Sequence, residues 1–105
     1  MAATLHELLK VMVDSNASDL HITTASPPMI RIDGKLVPIK HPPLTPPETK
    51  DLCYSVLKDV QKQKFEENWE LDFSFGLQGL SRFRANIFMQ RGAVAGAFQI
   101  GRAHV

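Results

Sequence analysis

The succession of patterns along this 105-residue chain predicts an α+β fold. Three observations carry that prediction. An apolar stripe at helical spacing opens the chain, Asp33-Gly34 separates two short β-like runs, and from Leu71 onward apolar and polar residues alternate. Runs of strands around separate helices argue against a doubly wound parallel sheet. The expected order is a helix, a β-hairpin, two helices and a three-stranded antiparallel meander.

The first helix is expected over Thr4–Asp14, because Leu5, Leu8, Leu9, Met12 and Val13 fall on one face. Thr4 with Glu7 three residues on is a capping-box signature, and Asn16 offers a C-terminal stop. Asp19–Thr24 is β-like, and Pro27-Pro28 forces an extended approach to the next strand. Met29–Ile32 and Leu36–Ile39 then flank Asp33-Gly34, a hairpin signal resting on the ease with which Gly takes a positive φ. The proline-rich segment His41–Pro47 reads as a crossing loop.

Thr45, Pro46 and Glu48 announce a second helix, whose expected buried stripe is Leu52, Cys53, Val56, Leu57 and Val60. A short third helix is expected over Val60–Asn68. In the meander, Leu71, Phe73 and Phe75 alternate with Asp72 and Ser74. Gly76–Gly79 turns the chain into Arg82–Met89, and Arg91-Gly92 turns it into Ala93–Phe98.

Composition narrows the class of function. Twelve Lys and Arg against eleven Asp and Glu give a net charge of +1, which offers no electrostatic footprint for nucleic acid. Cys53 is the single cysteine, so no internal disulfide can form and a reducing, cytoplasmic setting is expected. No stretch approaches the roughly 20 apolar residues that span a bilayer. His6, Glu7 and Lys10 interrupt any signal-peptide pattern.

Catalytic and metal signatures are missing from the sequence. His6, His21, His41 and His104 lack ligand spacing, and one cysteine cannot build a zinc site, so no metal is expected. There is no nucleophile elbow, and the glycines never form a phosphate-binding loop. Gly92 and Gly96 have the spacing of a membrane-helix dimer motif, but they lie in a β-like run. The chain is therefore not expected to be an enzyme by itself.

Two stretches stand out. Ala17-Ser18-Asp19-Leu20-His21-Ile22 is a polar cluster at a strand entry, which a turn cap and a solvated strand face would also explain. In Arg82-Phe83-Arg84-Ala85-Asn86-Ile87-Phe88, followed by Arg91, alternation puts Arg82, Arg84, Asn86 and Phe88 on one face. Phe88 is expected there as an exposed aromatic. A row of arginine can hold phosphate or carboxylate, or simply be solvated.

These stretches carry a family resemblance. From about Leu5 to Phe98 the chain resembles the N-terminal, PAS-like domain of the PilT family, the pilus-retraction (twitching motility) ATPases of the secretion-ATPase superfamily. The matching blocks are Ala17–His21, Ser26-Pro27-Pro28, Arg31–Leu36, Leu44-Thr45-Pro46, Glu70–Phe75, Arg82–Asn86 and Gln90–Phe98, in order and spacing. The resemblance implies a PAS-like α+β domain that packs on the ATPase domain of the next subunit in a homohexameric ring and moves with nucleotide state. It implies that the P-loop and catalytic glutamate lie in the parent's own C-terminal ATPase domain, with ATP and Mg as the parent's cofactors and none for this portion. A cytoplasmic ring peripheral to the inner membrane, working on a membrane platform protein of the pilus, is the implied setting. Arg84 matches a position that reaches toward nucleotide phosphate, and Gln99 stands where another arginine is expected. Ser18, Asp19, His21, Arg82 and Arg91 are the interface candidates. A free-standing PAS-like sensor or adaptor is the alternative, and it would need an apolar cavity with convergent polar groups.

The end of the chain departs from that pattern. Gln99–Val105 can be encoded by CAG ATC GGA AGA GCA CAC GTC, which after its first base matches a common sequencing adapter. The domain is accordingly expected over residues 1–99, with residues 100–105 a non-native tail that is frayed or irregular.

Overall fold

Local chemistry sets the helix starts in the computed structural model, which describes residues 3–101. Helix α1 spans Leu5–Asp14, and the Thr4 hydroxyl accepts the Glu7 N–H while the Glu7 carboxylate accepts the Thr4 N–H at 2.8 Å. The reciprocal pair satisfies amide donors that a helix start leaves orphaned. Helix α2, Pro46–Tyr54, opens with the same device between Thr45 and Glu48. Those contacts from the Thr backbone and hydroxyl hold both glutamates below the ordinary carboxylate range. Helix α3 covers Asp59–Asn68 and ends on Trp69 in the left-handed region.

Three short strands follow α1: β1 (Asp19–Ile22), β2 (Met29–Ile32) and β3 (Lys35–Pro38). Asp33 and Gly34 take φ of 50° and 82°, the double positive φ that a two-residue hairpin turn requires. Three longer strands close the chain: β4 (Glu70–Leu77), β5 (Ser81–Gln90) and β6 (Ala93–Ile100). All six form one antiparallel sheet in the order β3-β2-β1-β6-β5-β4. The hairpin and the meander are thus one surface, joined by β1 against β6.

One face of that sheet is the core. Leu20, Ile22, Ile30, Phe83, Ala85, Ile87 and Phe98 lie there beneath Leu5, Leu8, Leu9 and Met12 of α1, Leu52 and Cys53 of α2, and Phe65 of α3. α2 presses closest on β6. A Cβ at Gly96 would come within 2.9 Å of the Cys53 sulfur and 3.0 Å of the Phe98 ring, so only glycine fits without movement. Burial pushes the Cys53 thiol up to about 12, leaving it an inert packing group. Among the described residues, every buried side-chain polar atom has a hydrogen-bond partner.

The structure differs from expectation in three places. α2 ends at Tyr54 and α3 begins at Asp59, so the helical stripe breaks and Val60 is 59% exposed rather than buried. Phe88 is half-buried rather than exposed, with Glu70 and Ala95 as its neighbours across the ladder. Strand β6 continues past Phe98, with Gln99 paired to Arg84 and Ile100 to Phe83, and the Gly101 N–H donates to Arg82 O at 2.8 Å. Ladder pairing uses the backbone, so it extends whatever side chain follows. The rest of the expected tail, residues 102–105, lies outside the described residues.

Candidate functional site

The core uses one face of the sheet, and strand register decides what lies on the other. Reading across the strands, Arg31 opposes Asp19, Asp19 opposes Gln99, Gln99 opposes Arg84, and Arg84 opposes Ser74. The next row on the same face is Met29, His21, Ala97, Asn86 and Asp72. Two motifs more than 60 positions apart in the chain are thereby brought onto one polar surface.

Asp19 is the fixed point of this surface. Its side chain is only 12% exposed, and it accepts from the Ser18 hydroxyl at 2.5 Å through Oδ1. Oδ2 takes His21 Nε2 at 2.5 Å and Arg31 Nε at 3.3 Å. Burial disfavours the charged carboxylate, but these bonds outweigh it and hold the Asp19 carboxyl below its ordinary value. Being ionised, Asp19 only accepts, so Nε2 of His21 is the protonated ring nitrogen. Arg31 is held at a second point, donating from a terminal nitrogen to Gly34 O at 3.2 Å. Hairpin and β1 are thus tied together.

Arg84 is the converse case. It is exposed and, among the described residues, forms no salt bridge. Beside it Asn86 donates to Asp72 at 2.8 Å, and with Ala97 and Gln99 these residues line a hollow of about 230 Å³. Arg82 lies on the same face, its side chain folded over Gly76 of β4. Arg91 does not join them. It sits in the β5–β6 turn at the far end of the strand, lining a separate small cavity with Thr23, Thr24 and Ser26.

The register therefore gathers Asp19, His21, Arg82, Arg84 and Gln99 on one face, leaves Ser18 at its rim and excludes Arg91. Sequence reasoning missed Arg31 and Asp72. Arg31 follows the same period-two logic, but only the register against Asp19 reveals its partner. A second feature lies on the helical side: an apolar cleft of about 480 Å³ between α1 and α2, floored by Leu5, Leu8, Leu44 and Leu52 and rimmed by His41 and Asp51.

No protein-family model matches the chain. Over 90 residues it is 47% identical to the type IV pilus retraction ATPase PilT of Pseudomonas aeruginosa, covering 85% of this chain and 26% of that protein. A crystal structure of the pilus retraction motor PilT with bound ADP superimposes with a TM-score of 0.91 at 45% identity, over 98% of this chain and 30% of that one. The chain is an N-terminal domain of the PilT-type secretion ATPases.

The type IV pilus ATPase PilU of the same organism is 36% identical over 84% of the chain and 23% of its own length. The chain thus spans about a quarter of the curated PilT and PilU proteins that it matches. The Legionella pneumophila ATPase DotB shares the fold, with a TM-score of 0.82 at 21% identity. The α+β class expected from the sequence is the class found, with a six-stranded antiparallel sheet and three helices. In this PilT-type domain the helices take one face of the sheet and leave the polar face without a covering element among the described residues.

Proposed function

We propose that this domain works in an intact pilus-retraction ATPase as the nucleotide-responsive piece between subunits, its polar sheet face turned to an ATPase domain. The observation that carries this reading is Arg84: a cation that forms no salt bridge among the described residues, on a strand paired on both sides, in a sheet face that no described helix covers. A guanidinium held this way suits developing charge on a phosphate, which it can meet with two parallel hydrogen bonds. Hydrolysis itself belongs to the C-terminal ATPase domain, which supplies the phosphate-binding loop, binds ATP and Mg and assembles a homohexamer. The domain then transmits nucleotide state to its neighbour, and the ring acts on the inner-membrane pilus platform from the cytoplasmic side. Gln99, opposite Arg84 in the ladder, occupies the second phosphate-facing position, where arginine would add charge.

The test places this domain on the ATPase domain of the Pseudomonas PilT in one chain. Arg84→Ala should lower ATP turnover at least about tenfold, the scale of losing one preorganised charged donor. Unchanged turnover would end this reading. One observation favours a second, that of a sensor or adaptor, for which the apolar cleft between α1 and α2 has a suitable size and lining. Saturable binding of an apolar small molecule there, with turnover indifferent to Arg84, would replace the first reading with the second.

A further inference from the structure

The two edges of the sheet are built differently. Strand β3 is four residues long, carries Lys35 and ends on Pro38, and a short edge with lysine and proline resists pairing with another chain. Strand β4 forms the opposite edge with eight residues, Glu70–Leu77, and contains neither lysine nor proline. No strand lies beyond it among the described residues. Its face toward the helices holds Leu71, Phe73, Phe75 and Leu77, each only half-buried, and the Phe73 and Phe75 rings stack at 5.7 Å.

The ladder shows which backbone groups this edge leaves open. Gly101 donates its N–H to Arg82 O at 2.8 Å, so the peptide groups of Arg82 point toward β6. Successive residues of a strand direct these groups to opposite sides, hence those of Ser81 and Phe83 point toward β4. Their partners across the ladder are Leu77 and Phe75. By the same alternation the N–H and C=O groups of Asp72, Ser74 and Gly76 point out of the sheet, and all three residues are exposed.

The chemistry along the edge selects what can pair with it. A second β4 laid antiparallel, with Ser74 opposite Ser74, sets open groups against open groups and Asp72 opposite Gly76. Phe73 then meets Phe75 and Leu71 meets Leu77, in the non-hydrogen-bonded positions where side chains come closest. Shifting the register by one residue would set apolar side chains against polar ones, and sliding it by two would move Asp72 off Gly76. Arg82 completes the fit. Its guanidinium lies over Gly76, with Nη1 3.1 Å from where a Cβ would be, and it forms no salt bridge among the described residues. In this register the Asp72 carboxylate of the second chain arrives opposite Gly76 on the same face, at that guanidinium.

We infer that the β4 edge is a pairing surface for a second copy of this chain. The pairing centres on Ser74 and joins two domains into one continuous antiparallel sheet, with Asp72 of each chain bound to Arg82 of the other. The contact is isologous and closes at two chains, so it gives a dimer and not a fibre. It uses neither Arg84 nor nucleotide and is independent of the preceding reading.

The full 105-residue chain is followed by sedimentation from low to high concentration, with backbone amide exchange read by nuclear resonance at both ends of the range. A monomer–dimer equilibrium is expected, with the amides of Asp72, Ser74 and Gly76 slowing as the dimer forms. Ser74→Pro removes the central N–H, which the ladder with β5 does not use, and should leave a monomer. Asp72→Lys should weaken dimerisation at least about tenfold, because symmetry places the reversed charge at both ends of the contact. Adding Arg82→Glu to Asp72→Lys should restore most of that loss, and this pair carries the test if Ser74→Pro does not fold. A chain that stays monomeric at every concentration would overturn the inference. So would a dimer whose three outward amides still exchange fast, or one that Asp72→Lys leaves intact. A loss that Arg82→Glu fails to rescue, or assembly that runs on beyond two chains, would overturn it equally.

Discussion

Phe83 and Arg84 are neighbours in β5, yet Phe83 is fully buried and Arg84 exposed. The same alternation of burial runs through β4 and most of β5, whereas Ala93–Gly96 of β6 are buried in succession. Leu20 and Ile22 point to the helices while Asp19 and His21 point away, and Phe98 lies in the core while Ala97 and Gln99 lie opposite. One face therefore holds the fold together, and the other presents polar groups that the fold does not need for its core. The contrast separates Phe83, which the core requires, from Arg84, which forms no salt bridge among the described residues, while Asp19 shows that the polar face also carries structural ties.

The largest expected effect is on the buried side. Phe83 has zero exposure and its ring lies 5.6 Å from that of Phe75. Phe83→Ala should cost about 3–5 kcal/mol through lost burial and the cavity left behind. In a domain this small that is a large fraction of the total, and thermal melting should show a substantially unfolded protein. A melting point within a few degrees of the parent would break the comparison at its base.

How much of this contrast the sequence discloses depends on range. Capping boxes at Thr4 and Thr45, and the turns at Asp33-Gly34 and Arg91-Gly92, are written within four residues and were all legible. So was the alternation that separates Phe83 from Arg84. The pairing of β1 with β6 was not, because no local signal fixes the register between segments so far apart. With it went Arg31 as a partner of Asp19, and the row that carries Asp19 to Arg84. Val60 was misplaced for a related reason. Its spacing continues the α2 stripe, but the chain turns at Ser55 before reaching it.

Gly96→Ala should have an intermediate effect. The added methyl would meet the Cys53 sulfur at 2.9 Å and the Phe98 ring at 3.0 Å, and both belong to the packed interior. A penalty of about 1–3 kcal/mol is expected, the range for overpacking a core. Denaturant titration checks it, and a neutral or stabilising result would mean that α2 can move off the sheet.

Smaller again is the effect of acid on the polar face. The Asp19 carboxyl is held below its unfolded value, so its contribution is complete above the ordinary carboxyl range and lost as pH falls through the folded value. Asp19→Asn should therefore be less stable than the parent at neutral pH, and the gap should close below about pH 4. Melting curves across that window would sharpen the comparison. A gap that stayed constant into strong acid would show that Asp19 acts through shape and not charge.

The smallest effect on stability, and the most telling, belongs to Arg84. It is exposed and forms no salt bridge among the described residues, so Arg84→Ala should change the stability of the isolated chain by under about 0.5 kcal/mol. The decisive measurement pairs that melting curve with ATP turnover of the same substitution in the PilT fusion. An unchanged melting point with turnover down at least about tenfold is the predicted result. Equal losses in melting and turnover would contradict it, making Arg84 one more structural residue and the polar face merely the outside of the fold.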